Sequence, residues 1–265
     1  MNSTNSQNLE QQTISQKGKS VAAKLRGKAF VIPSLITVMG VFCGFLSAIS
    51  SFQGNFSYAA KCVLAAIIAD MLDGAVARRL KATSEFGKEL DSLSDVVAFG
   101  VAPAVMLYTW GLGSSANEFG ILVAYVFLAC GAIRLARFNV TTTTSRVPKN
   151  AFQGLPIPGA AGVVVTLCYT MPDKITDFYA TSLIAMLSLV LSFLMVSSIP
   201  YPNTKHLKLR DIDFHLLFLG LSVIIALAWY STRIALFVAF WGYLVSGPVN
   251  YFIQKKKCNK DLLVH

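Results

Sequence analysis

Six of the thirteen carboxylates in this 265-residue chain fall between positions 70 and 95: Asp70, Asp73, Glu85, Glu89, Asp91 and Asp95. Asp70 follows the apolar run VLAAIIA and Asp95 precedes VVAFGVAPAVMLY, so both lie at or inside a membrane boundary. An unpaired aspartate at the centre of a membrane helix costs on the order of 2.5–3.5 kcal/mol, which marks such a residue as functional. Glu85 and Glu89, with Gly87 and polar neighbours, read instead as part of a solvated loop. Asp70, Asp73, Gly74 and Ala77 stand at i, i+3, i+4 and i+7, one stripe of a helix, and Gly87, Asp91 and Asp95 repeat every fourth residue on the next. A short connection over 79–86 makes the two helices antiparallel neighbours, so their acidic faces converge. Four carboxylates in one small volume repel each other unless a cation compensates them. Oxygen donors of this kind suit Mg²⁺ or Mn²⁺, and two ions bridged by shared carboxylates are a recurrent arrangement for phosphoryl transfer. Gly74 and Ala77 leave the stripe without bulk, open to a diphosphate, and Arg78 is placed to neutralise it.

The elements that must position these residues are transmembrane helices. The chain is 54% hydrophobic and only 14% charged, and its mean hydropathy of +0.58 means more apolar surface than a soluble core can hide, so the excess faces lipid. Apolar runs near 30–52, 57–80, 92–112, 117–139, 155–172, 178–199, 214–230 and 232–254 predict eight spans in an all-α, polytopic membrane protein. With the N-terminus inside, 20 of the 23 Lys and Arg residues fall on the cytoplasmic side, leaving Lys61, Lys174 and Arg233 opposite. That asymmetry puts both termini and the acidic hairpin at the cytoplasmic face. Residues 1–16 read as a polar tail, 17–29 as a basic interfacial helix, 201–213 as a cytoplasmic loop and 255–265 as a basic tail. The net charge of +10 is therefore topological, and with no aromatic-interleaved basic patch no nucleic acid is expected. Five scattered cysteines suggest neither disulfides nor zinc, and His206, His215 and His265 show no metal-ligand spacing.

Written as a pattern, residues 70–95 are DxxDGxxARx₈GxxxDxxxD. This resembles the signature of the CDP-alcohol phosphotransferase family at every defined position: Asp70, Asp73, Gly74, Ala77, Arg78, Gly87, Asp91 and Asp95. The resemblance implies a six-helix catalytic membrane core, here 30–200, to which the pair at 214–254 is an addition, and it implies a homodimer. It makes Asp70, Asp73 and Asp91 ligands of divalent cations and gives Asp95, within the same metal cluster, the role of general base. Gly74, Ala77, Arg78 and Gly87, with Thr37 from PSLIT at 33–37, would line the CDP-lipid site; Ser34 stands where related enzymes often have Asn.

DSLSDVVAFGVAPA (91–104), RLARFNV (134–140), FQGLPIPGAAG (152–162) and YPNTK (201–205) look like the serine-accepting branch of that family, the bacterial and archaeal phosphatidylserine synthases. The implied reaction moves the phosphatidyl group of CDP-diacylglycerol onto the hydroxyl of L-serine with release of CMP, at the cytoplasmic face of a bacterial inner membrane. Arg134 and Arg137, three apart at the end of the fourth span, are candidates for binding the serine carboxylate or the lipid phosphate, or else positive-inside anchors. The hairpin leaves the acceptor open, since glycerol 3-phosphate or an inositol phosphate fits the same motif. An ion-coupled transporter is the reading from a different class; against it, the acids gather at one membrane face rather than along a path.

Overall fold

The first helix, α1 (Val31–Phe52), inverts the pattern of a water-soluble helix. Its buried residues are Pro33, Thr37, Gly40, Gly44, Ser47, Ser50 and Ser51, while Leu35, Phe42, Phe45 and Phe52 stand exposed. Lipid is as apolar as a leucine side chain, so large residues gain nothing by turning inward and small ones are kept for close helix contact. The computed structural model describes residues 31–80, 84–113, 117–143, 151–202 and 231–262. After α1 come α2 (Phe56–Leu80), α3 (Glu85–Leu112), α4 (Asn117–Thr143), α5 (Ile157–Thr170), α6 (Phe178–Val196) and α7 (Thr232–Leu262). One small departure from a purely helical chain is an antiparallel pairing of β1 (Ala151–Gln153) with β2 (Pro200–Pro202). The protein is an all-α polytopic membrane protein.

Among the described residues, five helices, α1, α3, α4, α6 and α7, are long and apolar enough to cross a bilayer. Two expected spans differ for physical reasons. α2 has 25 residues, but Lys61, Asp70, Asp73, Arg78 and Arg79 make it too polar to count among the five. α5 has 14 residues, a rise of about 21 Å against roughly 30 Å of hydrocarbon. It is instead the innermost helix, buried from Gly159 through Thr166 and packed against α2 and α7. The third span begins at Glu85 rather than 92, because Ser84 caps it by accepting the Gly87 backbone N–H at 3.0 Å. Glu85 and Glu89 are thus on the exposed face of a helix, not in a loop, and Glu85 pairs with Lys88 at 2.8 Å. The last helix continues to Leu262, past the expected end at 254. The expected span 214–230, the tail 1–16, the basic helix 17–29 and the loop from 203 to 213 lie outside the described residues.

α3 contains two π-helical stretches, Val96–Val101 and Tyr108–Leu112. The first follows Asp95 directly, at a place where a widened turn alters which side chains share a face. α1 lies against this stretch so closely that a Cβ at Gly44 would come 2.8 Å from the Ala98 Cα. Packing that needs glycine on one side fixes the depth and rotation of the helix carrying Asp91 and Asp95.

Candidate active site

α2 and α3 carry their aspartates to the same end of the bundle. Asp70, Asp91 and Asp95 each place a carboxylate oxygen within 4.8 Å of the others, all three partly buried. Asp73 is not in this trio. Three residues along a helix fall about 60° short of a full turn, which rotates Asp73 towards α1, where the Thr37 hydroxyl donates to its Oδ2 at 2.7 Å. Thr37 in turn accepts on its backbone oxygen from Ser94 Oγ at 3.2 Å. One residue of α1 therefore ties the acidic stripe of α2 to the helix turn just before Asp95. The four converging carboxylates expected from spacing are three together and one beside them.

A cavity of about 230 Å³ opens next to the trio. Its wall takes Thr37 from α1, Asp73, Gly74, Ala77 and Arg78 from α2, and Gly87, Lys88 and Asp91 from α3. The five residues expected at the CDP-lipid site, Thr37, Gly74, Ala77, Arg78 and Gly87, thus face one space, and Ser34 lies on the same wall. Asp91 belongs both to this wall and to the trio. Gly74 makes room for a neighbour, because a Cβ there would lie 3.3 Å from Arg78 Nη1 and its absence lets the guanidinium fold back over the cavity. The space is smaller than the roughly 300–1,000 Å³ of a cleft enclosing a drug-sized ligand. It suits the charged centre of a ligand whose remainder lies outside.

The basic stretch on α4 sends its side chains in three directions. Arg134 is 6% exposed, and its Nε has no hydrogen-bond partner among the described residues. Asp95 and Tyr243 are within its electrostatic reach. Arg137 turns elsewhere, donating from Nη1 to the Val196 carbonyl at 2.8 Å and from Nη2 to the Ser197 carbonyl at 3.1 Å. It closes the C-terminal end of α6, where helix carbonyls need donors. Asn139 donates from Nδ2 to Ser92 Oγ at 2.8 Å, gripping α3 between Asp91 and Asp95. Sequence reasoning misses Asn139, Ser92 and Ser94. Their signal is present as polar residues inside the RLARFNV stretch and between the two site aspartates, but spacing alone does not say that they face one another.

Known proteins are similar to this chain in sequence. The sequence model of the family described as CDP-alcohol phosphatidyltransferase matches residues 30–197. The chain is 39% identical over 231 residues to a CDP-diacylglycerol–serine O-phosphatidyltransferase of Helicobacter pylori, covering 86% of this chain and 94% of that protein. It is 41% identical over 177 residues to the archaetidylserine synthase of Methanothermobacter thermautotrophicus, covering 65% and 70%. With the CDP-diacylglycerol–serine O-phosphatidyltransferase of Bacillus subtilis it shares 37% over 174 residues, covering 66% and 91%. Since the family match runs from the start of α1 to the end of α6 with the acidic hairpin inside it, this chain belongs to the CDP-alcohol phosphatidyltransferase family.

Proposed function

We propose that the protein transfers the phosphatidyl group of CDP-diacylglycerol to the hydroxyl of L-serine, forming phosphatidylserine and releasing CMP. The observation that carries this reading is the meeting of the Asp70, Asp91 and Asp95 oxygens beside a cavity that Arg78 and Lys88 also line. Relatives that act on serine, similar over most of their length, supply the acceptor.

The diphosphate of the donor lies in the cavity, with Arg78 neutralising part of its charge and Gly74 leaving it room. Three carboxylate oxygens this close form a hard donor set that fits Mg²⁺ or Mn²⁺. Asp70, Asp91 and Asp95 would hold one ion, and Asp73, which lines the cavity together with Asp91, would help hold a second. Divalent cations bound there would offset the charge of the diphosphate and of the departing CMP. Asp95 takes the proton of the serine hydroxyl as its oxygen bonds to the diacylglycerol-side phosphorus and the bond from that phosphorus to the CMP oxygen breaks. Arg134 orients an anionic group of one substrate, the serine carboxylate or the lipid phosphate. Thr37 keeps Asp73 aimed by donating to it. The enzyme works as a homodimer in a bacterial cytoplasmic membrane, and the 20 of 23 basic residues assigned to the cytoplasmic side support a site that faces the cytoplasm.

Purified protein given CDP-diacylglycerol, Mn²⁺ or Mg²⁺ and labelled serine is expected to produce CMP and lipid-soluble label in equal amounts, and chelation is expected to stop both. Preferential transfer to glycerol 3-phosphate would overturn the serine assignment.

A further inference from the structure

α7 lies beyond the family match, which ends at 197, yet it is seated on the innermost helix of the bundle. Two glycines of α5 receive it. A Cβ at Gly162 would run into the Phe240 ring, and one at Gly159 would lie 3.2 Å from the ring of Tyr243. On the α7 side, a Cβ at Gly247 would occupy the place of the Tyr201 ring. Tyr201, on β2, is fully buried and donates its hydroxyl to the Leu244 carbonyl at 3.3 Å; burial pushes its phenol up to about 12, so it remains a donor. Its ring centroid stands 5.7 Å from that of Tyr243. Tyr243 is therefore held between α5 and Tyr201, with its position set by packing on two sides.

Arg134 lies within electrostatic reach of Tyr243. A buried guanidinium with an unpartnered Nε is an unfinished arrangement, because a buried donor left unpaired costs about 1–3 kcal/mol. An anionic group of a substrate would complete it. A tyrosine hydroxyl has one hydrogen to donate and two lone pairs, so it can accept from a guanidinium and donate to a carboxylate at the same time. Of the two substrates, the acceptor is the one that carries a carboxylate, and Asp95, the group that must meet the acceptor hydroxyl, is also within reach of Arg134.

Building on the serine-transfer reading, we infer that Tyr243 and Arg134 form the subsite for the acceptor's carboxylate, with Tyr243 a specificity-determining residue supplied by the helix outside the family match. The chemistry on the donor diphosphate is then carried by α2 and α3, and selection of the acceptor by α4 and α7.

The test uses the full-length protein in lipid nanodiscs with CDP-diacylglycerol and Mn²⁺ or Mg²⁺. Tyr243→Phe should raise KM for serine about tenfold, the worth of one hydrogen bond to a charged group, with kcat and KM for CDP-diacylglycerol little changed. Alanine, which keeps the amine and carboxylate of serine and lacks its hydroxyl, should lose potency as a competitive inhibitor by the same factor. Serinol, in which the carboxylate is reduced to an alcohol, should compete equally well against both forms. Tyr201→Phe removes the bond to Leu244 and keeps the ring, so it should leave KM for serine unchanged. An unchanged serine KM in Tyr243→Phe, a parallel rise in KM for CDP-diacylglycerol, or an equal effect of Tyr201→Phe would overturn the subsite. Failure of the wild-type protein to label lipid from serine would instead overturn the reading on which it rests.

Discussion

At the end of the bundle away from the aspartates, Trp110 donates its indole N–H to the carbonyls of Met171 and Asp173 at 3.0 and 2.9 Å. The Ile175 N–H bonds back to the Trp110 carbonyl at 2.8 Å, and Thr181 Oγ1 donates to the Gly111 carbonyl at 3.3 Å. Two cations there share one aromatic ring: Arg233 lies 4.8 Å and Lys61 6.0 Å from the centroid of Tyr169. At the opposite end three carboxylates crowd within 4.8 Å, and Arg134 buries an unpartnered Nε. α3 runs through both ends, so the contrast does not come from different architecture. The polar groups around Trp110 are satisfied internally, whereas the aspartate end keeps crowded carboxylates and a buried donor that the protein itself does not pair. In a membrane protein that asymmetry is informative, because lipid offers no hydrogen bonds to groups the protein leaves unpaired.

The sharpest way to break the comparison is at Asp95. Asp95→Asn is expected to lower turnover by about a thousandfold, the range for loss of a general base, while CDP-diacylglycerol still binds in an equilibrium assay with labelled donor. Asp91→Asn should reduce activity and also raise the Mn²⁺ concentration needed for half-maximal rate, because it removes a candidate ligand. Equal loss of donor binding in both variants would make Asp95 a ligand alone and leave the open end without its base.

Thr37 comes next in size. Its hydroxyl is a donor to Asp73, and a hydrogen bond to a charged group is worth about 1.5–3 kcal/mol. Thr37→Val should therefore reduce kcat/KM by roughly ten- to a hundredfold, with Thr37→Ser keeping most of the activity. Loss of the same size in both variants would assign the effect to packing against α1 rather than to the bond.

How much of the fold and the site is legible in the sequence depends on the range of the interaction. The hairpin can be read because helical periodicity is local: Asp91 and Asp95 must share a face wherever the helix goes. The separation of Asp73 from the trio cannot, since it depends on α1, far away in sequence, approaching closely enough for Thr37 to reach it. Arg134 and Arg137 have the spacing of a pair, but the end of α6 takes Arg137 and leaves Arg134 inside. α5 reads as a span because hydropathy does not separate residues buried in protein from residues facing lipid. The start of α3 has a capping serine at position 84, yet the charges around it read as loop. The π-helical stretch after Asp95, against which α1 and α4 pack, has no sequence signal.

Trp110 sharpens the comparison from the closed end. Trp110→Phe keeps most of the buried ring and leaves the Met171 and Asp173 carbonyls without their donor, so it should cost stability by about 1–3 kcal/mol. That loss should be visible as a lower thermal midpoint in nanodiscs, with KM for both substrates unchanged. A change in serine KM would mean the two ends are coupled through α3.

Arg137 gives the smallest effect and the most pointed test, because it stands at the open end and behaves like a residue of the closed one. Its two N–H groups go to the Val196 and Ser197 carbonyls, and Gly154, at φ +79°, packs so close that a Cβ there would lie 3.2 Å from Nη2. Such a cation at a helix C-terminus contributes about 0.3–1 kcal/mol when exposed to solvent. Arg137→Met should thus lower the thermal midpoint slightly and leave serine KM where it was, although the residue lies one turn from Arg134. A rise in serine KM would show that Arg137 binds ligand as well as α6, and the line between satisfied and unsatisfied groups would then fall one helical turn further from the membrane centre.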